Sequence, residues 1–199
     1  MFNSSIQQFN IGGAQVYVAT FDDSVAVQPV APAARQRLIE QTADIHLKRQ
    51  RYCVWRLLDY ALRQTLGKGV DELSFDVDGN GRWHCGEICF SLSHSGNAVA
   101  VAVCQRNVGI DIEAFCQARF NARLAHRILT EREHALYNAL PASERPRLLA
   151  EYWTKKESVF KCCGGAAFVA SAIDTADTEI FSKIIVLDCV EYVVAVATA

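Results

Sequence analysis

The sequence predicts an α+β fold, and three observations carry that expectation. Segments with the two-residue alternation of β-strands gather at residues 74–113 and again at 183–198. Two long stretches, 32–66 and 130–163, have helical spacing instead. Finally, Asn97-Ala-Val-Ala-Val-Ala-Val-Cys104 is echoed by Glu191-Tyr-Val-Val-Ala-Val-Ala-Thr198, each closing about half of the chain. The echo is either a chance likeness of two buried strands or the mark of two similar α+β halves, 1–104 and 105–199, joined near Cys104 to Asn107.

Ala14 to Phe21 alternates and is rich in β-formers, so it predicts a strand. In the helical stretch that follows, Leu47, Tyr52, Trp55, Leu58, Ala61 and Leu62 share a face, and Gly67 and Gly69 end it. Ser74 to Val77 and Arg82 to Cys85 flank Asp78-Gly79-Asn80-Gly81, whose Gly and Asn accept the positive φ of a tight hairpin turn. Ile88 to Ser91 and Ala98 to Cys104 are further strands, with Ser93-His94-Ser95-Gly96-Asn97 as their connection, and Val108 to Glu113 is another. Thr130 and Glu133 have the spacing of a capping box. Pro141 and Pro146 bracket a break, and Gly164-Gly165 closes the last helix. Strands return near Lys183 to Leu187 and Tyr192 to Thr198.

Composition narrows the function classes. The chain has 199 residues, 51% hydrophobic and 21% charged, which fits one large globular domain or two small ones with a core of their own. Its net charge of -2 excludes a generally basic nucleic-acid coat. Phe2, Asn3, Ser4 and Ser5 form neither a basic nor an apolar leader, and the longest apolar run, Ala98 to Cys104, falls far short of the roughly 20 residues of a bilayer span. The expectation is a cytoplasmic protein with neither membrane nor nucleic acid as a partner. Its eight cysteines then read as reduced residues in apolar settings, Cys53, Cys104 and Cys189 among them. His84, Cys85, Cys89 and His94 are a loosely spaced zinc alternative.

Three constellations could carry chemistry. In Gly109-Ile110-Asp111-Ile112-Glu113, strand alternation puts both carboxylates on one face. They repel unless a cation lies between them, and an oxygen-only pair suits Mg²⁺ with phosphate ligands; a half-exposed acidic edge strand is the plainer reading. In Trp153-Thr-Lys-Lys-Glu157-Ser-Val-Phe-Lys161, helical spacing turns Trp153 and Phe160 to the core and sets Glu157 one turn before Lys161. That pair is either a surface ion pair or a third carboxylate with a phosphate-binding cation. The third is basic: Lys48, Arg49, Arg51 and Arg56 in one helix, Arg82 after a Gly-Asn-Gly turn, and His94 in a Ser-flanked segment. Together they describe a site for a magnesium-bound polyphosphate ester.

These segments, in this order, resemble the 4'-phosphopantetheinyl transferase superfamily, specifically its surfactin-synthetase-type branch. The resemblance rests on Arg51-Tyr52 with Arg56, Gly81-Arg82, Phe90-Ser-Leu-Ser93-His94-Ser95, Val108-Gly-Ile-Asp111-Ile-Glu113 and Trp153-Thr-x-Lys156-Glu157-Ser158-x-x-Lys161. It implies a pseudo-dimer of two α+β halves with the site in the cleft between them, acting as a monomer. It implies transfer of the phosphopantetheine arm of coenzyme A to a serine of an apo acyl, peptidyl or aryl carrier protein, with release of 3',5'-ADP. By the same resemblance Asp111, Glu113 and Glu157 hold Mg²⁺, Glu157 takes the serine proton, and Lys161 stabilises the transferring phosphoryl group. Arg51, Arg56, Arg82, Ser93, His94, Asp111 and Lys161 bind coenzyme A, His94 at the 3'-phosphate. A non-catalytic module that binds coenzyme A, and a phosphoesterase that uses water, are the competing expectations. Two departures stand out: the family's usual Gly-Lys-Pro reads Gly81-Arg82-Trp83, and Lys161 is followed by Cys162-Cys163-Gly164-Gly165.

Overall fold

The computed structural model describes residues 2, 3, 5–165, 167–175 and 180–199. In chain order the elements are β1 (Gln7–Ile11), β2 (Ala14–Thr20), α1 (Ala33–Glu40), α2 (Ile45–Leu66), β3 (Phe75–Val77), β4 (Trp83–Cys85), β5 (Cys89–Ser95), β6 (Ala98–Cys104) and β7 (Val108–Ala114). They continue with α3 (Ala122–Ile128), α4 (Glu131–Ala139), α5 (Arg145–Cys163), a 3-10 turn (Ala170–Ala172), β8 (Ile180–Leu187) and β9 (Val190–Thr198). The fold is mixed α/β, as expected. No helix among the described residues is long and apolar enough to cross a membrane.

Two antiparallel sheets, ordered β1-β2-β6-β5 and β7-β9-β8, pack face to face. Alternation in the central strands decides what each face meets. In β6, Ala98, Ala100 and Ala102 turn toward the second sheet, while Val99, Val101 and Val103 join Trp55, Leu58 and Leu62 of α2. In β9, Tyr192, Val194 and Val196 face the first sheet, and Val193 and Ala197 meet the helices on the far side. The echo noted in the sequence therefore falls on two interior strands, each buried on both faces.

Helix ends follow local rules. The Asp44 carboxylate accepts the Leu47 N–H at 2.7 Å to start α2, and Gly67 ends it at φ 71°, a backbone conformation glycine adopts without strain. The capping box at Thr130 and Glu133 forms as the spacing requires.

Three expectations change. Ser93-His94-Ser95 is not a connection: β5 runs through to Ser95 and only Gly96-Asn97 turn the chain. The polar, exposed edge strand β1 and the short α3, capped by Asn121, had no periodic signal strong enough to reveal them. Trp153 packs only at the edge of the core, against the cluster of Phe120, Leu149 and Tyr152, and its indole N–H reaches the site described below.

Helix α5 lies close against β7, and Gly109 is the reason it can. A Cβ at that position would collide with the Ser158 carbonyl oxygen and the Cys162 backbone nitrogen, neither of which can swing away. Gly109→Ala should therefore destabilise the protein by about 3 kcal/mol or more. The check is a lowered urea midpoint at unchanged slope; a midpoint equal to the parent's would contradict this packing.

Candidate active site

Strands β5 and β7 are edges of different sheets, yet they run side by side, joined by serines. Ser91 Oγ accepts the Ile110 N–H at 3.0 Å, Ser93 Oγ the Ile112 N–H at 3.3 Å, and Ser95 Oγ the Ala114 N–H at 3.0 Å. These hydroxyls supply the partners an edge strand lacks. Two of them also donate across the seam: Ser93 Oγ to Asp111 Oδ1 at 2.7 Å, and Ser95 Oγ to Glu113 Oε2 at 2.8 Å.

Helix α5 brings Trp153, Glu157 and Lys161, one turn apart, along the same seam. Lys161 Nζ donates to Asp111 Oδ1 at 2.7 Å and to Ser93 Oγ at 3.1 Å. Lys161 is thus engaged with β5 and β7, not idle on the surface. Trp153 Nε1 donates to Glu113 Oε1 at 2.9 Å. Arg119, which sequence reasoning missed, clasps Glu113 through two bonds of 2.6 and 2.8 Å.

The carboxylates are strained electrostatically. Burial pushes the Asp111 carboxyl up despite Lys161 beside it, and its Oδ2 is buried with no hydrogen-bond partner. Glu157 is raised as well, first by burial and then by the negative charge of Asp111. An orphaned carboxylate oxygen and a second carboxylate in its field form an oxygen donor set that fits a hard divalent cation. No three His, Cys, Asp or Glu side chains among the described residues stand close enough to hold an ion by themselves, and this includes the zinc alternative at His84, Cys85, Cys89 and His94.

Cations gather on the other side of β5. His94 is largely buried, and its imidazole is pushed down to about 4 by burial and by the charges of Lys161, Arg35 and Arg51, with Glu113 opposing. Arg35 is only 5% exposed, stacks 4.8 Å from the Trp55 ring, donates to the Arg51 carbonyl, and leaves its Nε without a partner. Burial beside Arg51 lowers this guanidinium to about 10. Arg51 itself donates to Thr42 Oγ1 at 2.7 Å. A buried guanidinium and a neutral histidine among positive neighbours make a cradle that an anion would relieve.

Not every expected residue joins. Arg82 ties to the end of α5, donating to the Phe160 carbonyl at 3.1 Å, and there it lines a cavity of about 520 Å³ with Gly81, Trp83, Leu92, Asn107 and Lys161. Arg56 stands apart, lining a different groove with Val30, Asp59 and Arg63, because a residue five positions along α2 from Arg51 faces another side. Arg35, whose charge acts on His94, had no sequence signal beyond that charge.

Residues 107–183 match the family model described as the 4'-phosphopantetheinyl transferase superfamily. The chain is 30% identical over 138 residues to the 4'-phosphopantetheinyl transferase HetI of Nostoc sp., covering 65% of this chain and 58% of that one. It is 34% identical over 88 residues to AcpT of Escherichia coli, at 43% and 45% coverage, and 28% identical over 111 residues to psf-1 of Bacillus pumilus, at 54% and 47%. Both are also named 4'-phosphopantetheinyl transferases. The chain spans about half the length of the curated relatives it matches.

The buried imidazole has a consequence for stability. In the unfolded chain His94 titrates near 6.5, and in the folded protein near 4, so between these values only the unfolded chain takes up the proton. Stability is therefore lost as pH falls through that window, by on the order of 3 kcal/mol in full. His94→Gln should lose less stability than the parent between pH 7 and pH 4 in urea unfolding. Parallel curves would refute a neutral buried imidazole.

Proposed function

We propose that the chain is a member of the 4'-phosphopantetheinyl transferase superfamily, a reading that its likeness to the family model and to HetI supports, and that it transfers the 4'-phosphopantetheine group of coenzyme A to a serine of an apo carrier protein, releasing 3',5'-ADP. One observation supports this above all. An anion cradle at His94, Arg35 and Arg51 and an orphaned carboxylate at Asp111 meet across one strand, with Lys161 between them. Few ligands satisfy both needs at once; a magnesium-bound pyrophosphate with a further phosphate does.

In this reading the two sheets with their helices, 1–104 and 105–199, are the halves of a pseudo-dimer, and the serine seam is its cleft. A single chain is then the working unit. His94, Arg35 and Arg51 take the 3'-phosphate, and the cavity at Arg82 takes the nucleoside. Asp111 and Glu157 are the carboxylates that would hold Mg²⁺, with Glu113 of the expected trio beside them; the ion, when bound, would neutralise charge on the leaving 5'-phosphate of 3',5'-ADP. The Glu157 carboxylate, made more basic by its burial and by Asp111, accepts the proton of the carrier serine, directly or through water. Lys161 donates to the transferring phosphoryl group, exchanging its Asp111 partner for a phosphate oxygen.

The direct test incubates the protein with coenzyme A, Mg²⁺ and a panel of apo carriers and weighs the carriers. A gain of one phosphopantetheine establishes the reaction; nucleotide release without a carrier would show hydrolysis by water instead. Lys161→Ala should lower kcat by about a hundredfold or more, and Glu157→Gln should lose turnover together with its Mg²⁺ dependence.

His94 offers a second test. Since the free imidazole is neutral at pH 7 and a bound phosphate dianion favours its charged form, coenzyme A binding should take up a proton and tighten as pH falls toward 4. His94→Ala should cost coenzyme A roughly tenfold to a hundredfold in affinity while sparing dephospho-coenzyme A. Calorimetry in two buffers of different ionisation enthalpy reads the proton, and equal losses for both ligands would remove His94 from the 3'-phosphate.

A further inference from the structure

The two acidic residues of β7 are in opposite states. A carboxylate has about four lone-pair positions, and Glu113 fills them: Ser95 Oγ and Arg119 Nη1 donate to Oε2 at 2.8 and 2.6 Å, Trp153 Nε1 and Arg119 Nη2 to Oε1 at 2.9 and 2.8 Å. Its side chain is 13% exposed. Asp111 uses only Oδ1, for Ser93 and Lys161, and keeps a buried Oδ2 with no partner.

We infer that Glu113 is an anchor and not a metal ligand: it ties β5, β7, α5 and the segment at Arg119 around the site, and leaves Asp111 and Glu157 as the two carboxylates for the divalent ion. This rests on the reading of the site as a metal-assisted transferase. The four donor groups belong to three residues on three separate stretches of chain, so the Glu113 carboxylate is where these are held in mutual register with β7. To enter a cation's shell it would have to release a bidentate guanidinium, the strongest of its partners. It would also have to hold a divalent ion against that same positive charge. Asp111 faces neither obstacle at Oδ2. Glu157 lies on the stripe of α5 whose ends, Trp153 and Lys161, touch Glu113 and Asp111, so it faces the same gap.

The experiment measures Mn²⁺ binding by electron paramagnetic resonance with 3',5'-ADP present, and melting temperature in EDTA. Asp111→Asn and Glu157→Gln should each weaken Mn²⁺ by about tenfold or more. Glu113→Gln should change it by about twofold at most, yet lower the melting temperature of the metal-free protein, because its ion pair with Arg119 and its hydrogen bonds hold the anchor without metal. Should that variant not fold, Glu113→Gln with Arg119→Gln replaces the ion pair by an amide pair and is read in the same way. A tenfold loss of Mn²⁺ affinity in either Glu113 variant, or no Mn²⁺ binding by the parent protein, overturns the inference. Failure of the parent protein to add mass to any carrier would sink the transferase reading separately, whatever the ranking of the Mn²⁺ affinities.

Discussion

Two sheet edges that cannot pair by backbone alone govern the rest of this molecule. β5 and β7 belong to different sheets, and an edge N–H left buried without a partner costs about 1–3 kcal/mol. Serine at every second position of β5 meets that need, because a hydroxyl can accept an N–H and still donate its own proton. At Ser93 and Ser95 that donated proton goes to Asp111 and Glu113. The bonds that close the seam are thus the bonds that line up the acidic side chains, and α5 completes the arrangement through Lys161 and Trp153.

The site is unbalanced by design of its surroundings. Arg35 Nε and Asp111 Oδ2 are both buried and unpartnered, one on each side of β5. Each raises the free energy of the folded chain, and neither can reach the other. Such groups are oriented before any ligand arrives, so a ligand that satisfies both gains their interaction without first ordering them. His94 belongs to the same logic: its neutrality is imposed first by burial and then by positive neighbours, and an anion would oppose both.

Much of this was legible in the sequence where a fixed period ties residues to a face. Alternation puts Asp111 and Glu113 together, and four-residue spacing puts Glu157 beside Lys161; both are local geometry. What the pattern could not convey was partnership at long range. Arg119 reads as one of many arginines until the loop after β7 folds it back onto Glu113, and Arg35 until α1 packs on α2. Composition misled in one place. Ser93-His94-Ser95-Gly96-Asn97 has the makeup of a loop, but its serines are needed as strand residues by a neighbour 18 and 19 positions along the chain. Trp153 was legible only in part, since its ring packs against the core as an aromatic at helical spacing suggests, while its indole N–H joins the site.

Helix α5 shows how one segment serves both packing and chemistry. Lys156 and Glu157 are neighbours in sequence, yet a helix turns about 100° per residue, so they face different surroundings. Lys156 is fully buried, bonded to Glu133 at 2.7 Å and to the Ile173 carbonyl at 2.6 Å, which ties α5 to the capped start of α4. Glu157 faces the seam. On the buried side Thr154 and Ser158 spend their hydroxyls on the helix's own carbonyls, and Gly109 lets that side approach β7. A rotation of α5 by one residue would bring Lys156 toward Asp111 and drive Glu157 into the packed face, burying an unpaired carboxylate. The buried lysine pair excludes that rotation, and so the orientation of the site stripe is decided on the side of the helix that takes no part in the chemistry.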